Sequence, residues 1–339
     1  MSRMPLHPCL ADPEAEAHLA RFGWAVVDDL LDPEDLANLL AVIDEVYVDQ
    51  RVGFHASNMS GAHEYRRAVD ARVRPVVAAA VERRGLLVDH EPFTASLLVK
   101  WPSADSAFHT HQDWTMVDED RFRTVNVWCP LVDTDDENGA FAALPGSHEV
   151  LRAIRCSPMP PQHYRSAGWD VSHDDMVKIP VRVGQALVFD HALLHASPPN
   201  RTDAWRPAVA AAFKPRAASL RHYYLTEPDG EDLEVFAVDS PFFTDFDIGD
   251  RPAYDVIDRV RFEPDGLDRV GLLRACGVPV ADPPELEPEP EPRPVEAAAE
   301  VEPPQGGPVA DHVVAPPRRY TPYERAQLLG RRVKRRLGR

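Results

Sequence analysis

The sequence predicts an all-β core with flanking helices, folded as a jelly roll. Three observations carry that expectation. Between about Phe93 and Phe213 the apolar residues form short or alternating runs, and Gly, Pro, Asn and Asp separate one run from the next. A strand and a helix lead into this region. The chain has 339 residues, 44% of them hydrophobic, enough to bury a substantial core in one large domain or two ordinary ones.

The elements follow in chain order. Trp24-Ala25-Val26-Val27 reads as a strand. A helix is expected from Pro33 to about Gln50, with Asp32 as N-cap, Pro33 at the first helical position and Asp35 in the first turn. Leu36, Leu39, Leu40, Ile43, Val46 and Tyr47 then recur at helical spacing and form one apolar stripe. The candidate strands are residues 96–101, 108–113, 124–131, 141–144, 186–189 and 208–213. Turn chemistry falls between them at Asp136-Glu137-Asn138-Gly139, Pro145-Gly146-Ser147 and Pro198-Pro199-Asn200. A jelly roll of this kind holds a pocket between two sheets, where strand ends present ligands.

The composition changes after about Pro279. The stretch 282–308 is rich in Pro, Glu and Ala and too poor in apolar residues to offset chain entropy, so a disordered linker is expected. Thr321-Pro322-Tyr323-Glu324 then has the capping-box arrangement of a helix start. Residues 318–339 carry nine Lys or Arg against one acid, a net of +8; removing it from the chain's −18 leaves −26 for the rest. The expected organisation is therefore a catalytic domain over 1–280, a Pro/Glu/Ala-rich linker over 281–317 and a basic C-terminal helix or tail over 318–339. That tail reads either as a solvated segment or as a tethered docking helix for an acidic protein partner.

The acidic balance argues against nucleic acid or anionic lipid as a partner of the body, and favours a small-molecule substrate. Cys9, Cys129, Cys156 and Cys276 are scattered, without CxxC pairing, and read as reduced thiols. No signal-peptide pattern opens the chain, and no run of about 18 apolar residues occurs in it. A cytoplasmic protein without a membrane span is expected.

The chemistry concentrates in His111-Gln112-Asp113, His195 and Arg206. On a strand over 108–113, a period of two would place His109, His111 and Asp113 on one face. Two of these three with one distant histidine make a facial set of metal ligands, and His195 is the best third member because it follows the strand 186–189 after a short turn. Two imidazoles and one carboxylate leave the opposite face of a metal free for a co-substrate and oxygen, which points to a non-haem iron oxygenase. Arg206 suits the far carboxylate of a chelating 2-oxo acid. Ala208, Ala210 and Ala212 leave room beside it.

From about Phe22 to Pro215 the chain resembles the phytanoyl-CoA dioxygenase-like family of iron(II)- and 2-oxoglutarate-dependent oxygenases. The resemblance rests on Gly23-Trp24-Ala25-Val26-Val27-Asp28, His111-Gln112-Asp113-Trp114, Trp128-Cys129-Pro130-Leu131, Asn138-Gly139, Leu144-Pro145-Gly146-Ser147-His148, Gly184-Gln185-Ala186 and His195-Ala196-Ser197. It implies a double-stranded β-helix, the cupin-like form of the jelly roll. It further implies Fe(II), 2-oxoglutarate and O2 as cofactor and co-substrates, with His111, Asp113 and His195 as iron ligands. Arg206 and Ser197 would then hold the 5-carboxylate of 2-oxoglutarate and Trp128 would wall its pocket, with Asn126 and Lys100 as further polar contacts.

Related halogenases replace the carboxylate ligand with a small residue, so Asp113 favours hydroxylation of an aliphatic C–H, with release of succinate and CO2. Two other readings are open. His109-Thr110-His111-Gln112-Asp113 is similar to the start of the zinc motif of metallo-β-lactamase-fold hydrolases, but Trp114 stands where that motif has a histidine. The other is a non-catalytic, ligand-binding member of the fold. Aromatics and arginines in 54–67, with Tyr223, Tyr224, Phe242, Phe243 and Phe246, are expected as pocket, lid or flank-packing residues. Acyl thioesters, amino acids, nucleotides and natural-product scaffolds of secondary metabolism are not separated by these residues. His148 and His191 read as local structural histidines.

Overall fold

The computed structural model describes residues 7–46, 52–159, 171–227 and 230–280. Helix α1 (Pro13–Phe22) opens on Asp12, whose carboxylate accepts from the Ala15 amide at 2.8 Å. It closes at Gly23, with φ 91°, where a Cβ would lie 2.6 Å from Leu193 Cδ1 and 2.8 Å from His148 Nδ1. Strand β1 (Trp24–Val27) and helix α2 (Pro33–Val46) match the expected elements. Asp32 caps α2 by accepting from the amides of Glu34 and Asp35, both at 2.9 Å. The Asp35 carboxylate returns to the Asp32 amide at 3.1 Å, completing the box. The buried stripe is Leu39, Val42 and Ile43, while Leu40 is 40% exposed and so lies off it. The expected last turn, 47–50, is outside the described residues.

The next elements are β2 (Phe54–Ala56), α3 (His63–Arg84), β3 (His90–Lys100), β4 (Phe108–His111), β5 (Val125–Pro130), β6 (Phe141–Ala143), β7 (Val177–Ile179), β8 (Ala186–Asp190), β9 (His195–Ser197) and β10 (Arg206–Pro215). They form two antiparallel sheets, of order β1-β8-β5-β10-β3-β2 and β4-β9-β6-β7. Trp24, Trp128, Leu187, Phe189, Ala208 and Ala210 of the large sheet share one buried cluster with Phe141 and Ala143 of the small sheet. This is the jelly roll, with the inner faces of both sheets meeting.

Helix α3 was not legible in the periodicity, because six arginines and Pro75 interrupt it and half of its buried residues are valines. It packs Val69, Val73, Val77, Ala80 and Val81 with the outward residues Ala95, Leu97 and Val99 of β3 and Val209, Ala211 and Phe213 of β10. Each buried valine contributes about 1.5–3 kcal/mol. Cover on both faces explains why β10 is buried almost end to end. Its even positions, Ala208, Ala210 and Ala212, face the interior.

A third sheet, β11-β12-β13 (Arg221–Leu225, Asp232–Ala237, Val256–Arg261), follows the jelly roll, and the short helices are α4 (Ser147–Val150), α5 (Phe242–Asp245) and α6 (Arg269–Ala275). Of the residues expected near the mouth, Phe242 and Phe246 pack around His222, with ring centroids 4.9 and 4.6 Å away, and Phe246 also meets Trp114 at 5.6 Å. Phe243 packs on Phe93, and the Tyr223 hydroxyl donates to Val117 O at 3.3 Å. Arg66 joins α3 to this segment through Ser60 O, Phe246 O and the Asp247 carboxylate. No described helix is long and apolar enough to cross a membrane. All four cysteines are free, and burial raises their thiols, Cys9 to about 12. The linker and basic tail, 281–339, lie outside the described residues.

Candidate metal centre

Strands β4 and β9 pair antiparallel with His111 directly opposite His195, which sets the two imidazoles side by side with centroids 4.1 Å apart. Each ring is fixed by its own backbone. Nδ1 of His111 lies 2.9 Å from His109 O, and Nδ1 of His195 lies 2.9 Å from Leu193 O. A carbonyl can only accept, so each Nδ1 carries the proton and each Nε2 keeps a free lone pair. Burial lowers His111 to about 3 and His195 to about 4, so both rings are neutral near pH 7.

Strand β4 ends at His111, two residues before the expected end, and its register with β9 shifts between Phe108 and His111. The expected single face of His109, His111 and Asp113 is therefore corrected. Asp113 lies beyond the strand, its amide donating to His191 O at 3.0 Å, and its carboxylate turns back so that Oδ1 is 3.9 Å from His111 Nε2. The His111, Asp113 and His195 ligand atoms lie within 4.8 Å of one another, and His109 is not among them. His109 stays nearby, its ring centroid 6.0 Å from that of His111. Phe141 stacks on His195 at 5.0 Å and 9°, so the ligand ring has little room to rotate.

Asp113 is held by Asn126, expected instead at the co-substrate, and by Arg155, which no sequence motif marked. Asn126 Nδ2 donates to its Oδ2 at 2.8 Å. Arg155 Nε donates to its backbone carbonyl at 2.9 Å, and both Arg155 Nη atoms are taken by Glu119 at 2.5 and 2.6 Å. Arg155 is 1% exposed, and such a buried bidentate pair is rigid. Glu119 and Arg155 are 36 residues apart with no spacing signal between them. His191, read as a structural histidine, is fully buried with its Nε2 4.0 Å from Asp113 Oδ2.

Arg206 begins β10 across from Lys100, the last residue of β3. Its guanidinium carbon lies 5.5 Å from the Trp128 ring centroid, so the sequence-predicted pair Arg206 and Trp128 does come together. The side chain is 3% exposed, and its buried Nε and Nη1 have no acceptor among the described residues. Burial pushes it down to about 9. A buried guanidinium with open donors fits an incoming carboxylate. Ser197, two residues beyond His195 on β9, shares the inward face of that strand.

Lys100 is placed differently from its expected role. Its Nζ lies within hydrogen-bond distance of three carbonyl oxygens, Ser106 O, Ser197 O at 3.1 Å and Pro198 O at 2.8 Å, which leaves no donor for a co-substrate oxygen. Burial, and then the Arg206 charge, push it down to about 6. Its nitrogen is thus committed to backbone carbonyls rather than to a co-substrate. Asn126 likewise has its amide committed to Asp113.

A family model described as phytanoyl-CoA dioxygenase matches residues 19–208. The chain belongs to the phytanoyl-CoA dioxygenase family. It is an enzyme of the 2-oxoglutarate-dependent oxygenase type, and the family uses Fe(II), 2-oxoglutarate and O2. The donor set fits that iron: two neutral imidazole nitrogens and one carboxylate oxygen converge on one side. Among solved structures the chain is similar to the non-haem α-ketoglutarate-dependent epimerase SnoN from nogalamycin biosynthesis, at 22% identity, covering 61% of this chain and 84% of that one, TM-score 0.44. It is also similar to AviO1 from Streptomyces viridochromogenes Tue57, at 21% identity over 62% and 97% of the two chains, TM-score 0.41. HygX from Streptomyces hygroscopicus, with nickel and 2-oxoglutarate bound, matches at 16% identity over 61% and 88%, TM-score 0.43. No curated protein matches the sequence.

Proposed function

We propose that this family member hydroxylates an aliphatic C–H of a small molecule. His111, Asp113 and His195 would hold Fe(II), and Arg206 would hold the 5-carboxylate of 2-oxoglutarate, with Ser197 beside it and Trp128 as wall. The observation that carries the reading is the buried, donor-rich Arg206 guanidinium beside Trp128, on the strand whose Ala208 and Ala210 share a buried cluster with Phe141, the ring stacked on His195. When bound, the iron, 2-oxoglutarate and O2 supply an oxidising system that turns R–H into R–OH, with succinate and CO2 as the other products.

The protein's own part is positional. The two Nδ1–H bonds keep both Nε2 lone pairs aimed at the metal, and Asp113 supplies one negative charge. Arg206 fixes the far end of the co-substrate, so its near end is offered to the metal in one orientation. Phe141 and Trp128 line this region with apolar surface and limit water there. Asp113 supports hydroxylation over halogenation, since its carboxylate fills the position a halide would need.

The test is succinate release by anaerobically iron-loaded protein against acyl thioesters, amino acids, nucleotides and natural-product scaffolds. Turnover is expected to require 2-oxoglutarate and to be lost in Asp113→Ala. Binding of 2-oxoglutarate that Arg206→Ala leaves unchanged would overturn the reading. The compositions of 281–317 and 318–339 support a tether and a basic tail that docks an acidic partner. A chain ended at residue 280 that keeps all partner binding would refute that part.

A further inference from the structure

Asp113 has four polar atoms, and residues from three parts of the chain occupy three of them. Its amide donates to His191 O at 3.0 Å, its carbonyl accepts from Arg155 Nε at 2.9 Å, and its Oδ2 accepts from Asn126 Nδ2 at 2.8 Å. Oδ1 alone is left, and it is the oxygen 3.9 Å from His111 Nε2. Asn126 sits on β5 in register with Ala212 of β10, and Ala212 pairs in turn with Thr94 of β3, so it stands in the middle of the large sheet. Its backbone cannot shift without moving both neighbours.

From this arrangement we infer that Asn126 is a positioning residue that keeps Asp113 a one-oxygen ligand. A carboxylate has two oxygens of equal basicity and can close on a metal with both. With Oδ2 engaged by the Asn126 amide, only Oδ1 reaches the ion, and the position Oδ2 would have taken stays open. Two imidazoles, one carboxylate oxygen and a chelating 2-oxo acid would together supply five donors, and a second oxygen from Asp113 would add a sixth and compete with any further ligand. The inference rests on His111, Asp113 and His195 being the metal site.

Cobalt(II) provides the test, because its visible absorption is stronger in five-coordinate than in six-coordinate sites. Wild-type protein, Asn126→Asp, Asn126→Ala and Asn126→Gln would be titrated with cobalt(II), then with 2-oxoglutarate, after thermal melts have established that each folds. Asn126→Asp keeps the shape but removes the donor, and Asn126→Ala removes the donor without adding charge. Both are expected to lower cobalt affinity about 10–100-fold. Asn126→Ala is expected to show the weaker six-coordinate spectrum with 2-oxoglutarate, and Asn126→Gln, which retains an amide donor, to recover part of the wild-type signal. Wild-type affinity and spectrum in both Asn126→Asp and Asn126→Ala would overturn the inference while leaving the metal site intact. Failure of the wild-type protein to bind cobalt, or equal binding by Asp113→Ala, would instead overturn the metal site itself.

Discussion

The two parts of the site treat buried polar atoms in opposite ways. Around Asp113 and the two ligand histidines, both Nδ1–H groups and the Asn126 amide find oxygens, and what the three ligands keep over is a set of lone pairs: two Nε2 and one Oδ1. Around Arg206 the reverse holds, and what remains over is a pair of buried N–H groups without an acceptor among the described residues. Leftover lone pairs select a cation and leftover donors select an anion. A metal and a carboxylate-bearing co-substrate are thus asked for by complementary deficits.

The largest effect is expected from removing the anionic lone pairs. Asp113→Ala should lower cobalt or iron affinity by more than about 100-fold, beyond the range for residues that only orient a ligand, and take turnover to background. Equilibrium dialysis against cobalt(II) measures it. Retained stoichiometric binding would mean that the deficit at this end is not what holds the metal.

Arg206→Met should break the other half alone. Loss of a buried charged partner costs about 3–5 kcal/mol, so 2-oxoglutarate should bind roughly 150- to 4,000-fold more weakly while metal affinity holds. Without co-substrate the sign reverses. Replacing an unpartnered buried cation by an apolar side chain is expected to stabilise the ligand-free protein by about 1–4 kcal/mol. Calorimetry should therefore show a raised melting temperature in the same variant that has lost the co-substrate. A lowered one would mean that Arg206 is already satisfied in the free protein.

Lys100 gives a smaller, pH-dependent effect. Its folded value of about 6 lies below the ordinary lysine value of 10.5, so the unfolded chain holds more protons between them and this group makes stability rise with pH across that window. A dianion bound beside Arg206 favours the charged ammonium. Its binding should take up a proton above about pH 6, and affinity should fall as pH rises. Titration calorimetry in buffers of different ionisation enthalpy counts that proton, and Lys100→Met should abolish it.

The contrast between the two parts was only partly legible in the sequence. The ligand residues and Arg206 stand in short motifs on strands or just beyond them, and residue type and spacing are enough to single them out. What satisfies them is not local. Asn126 on β5 reaches Asp113 beyond the end of β4, Arg155 and Glu119 meet over 36 residues, and Lys100 is spent on carbonyls that only the folded turns at Ser106 and Pro198 bring to it. The same holds for the fold. Capped, alternating segments such as β1, α2 and β5 were readable, whereas α3 hid its apolar face among arginines and β11 to β13 followed no strong alternation.

The smallest effect is expected at His109, where strand alternation and the folded chain disagree. A strand unbroken to Asp113 would make His109 a ligand equivalent to His111. The register shift after Phe108 leaves it beside the site, with burial and then the His173 charge lowering it. His109→Asn should therefore change cobalt affinity by no more than about threefold, far less than the loss expected for a residue that orients a ligand. A loss on the scale of Asp113→Ala would instead place a third imidazole on the metal. The set would then be the one that zinc hydrolases begin from, and Arg206 would be left without a role.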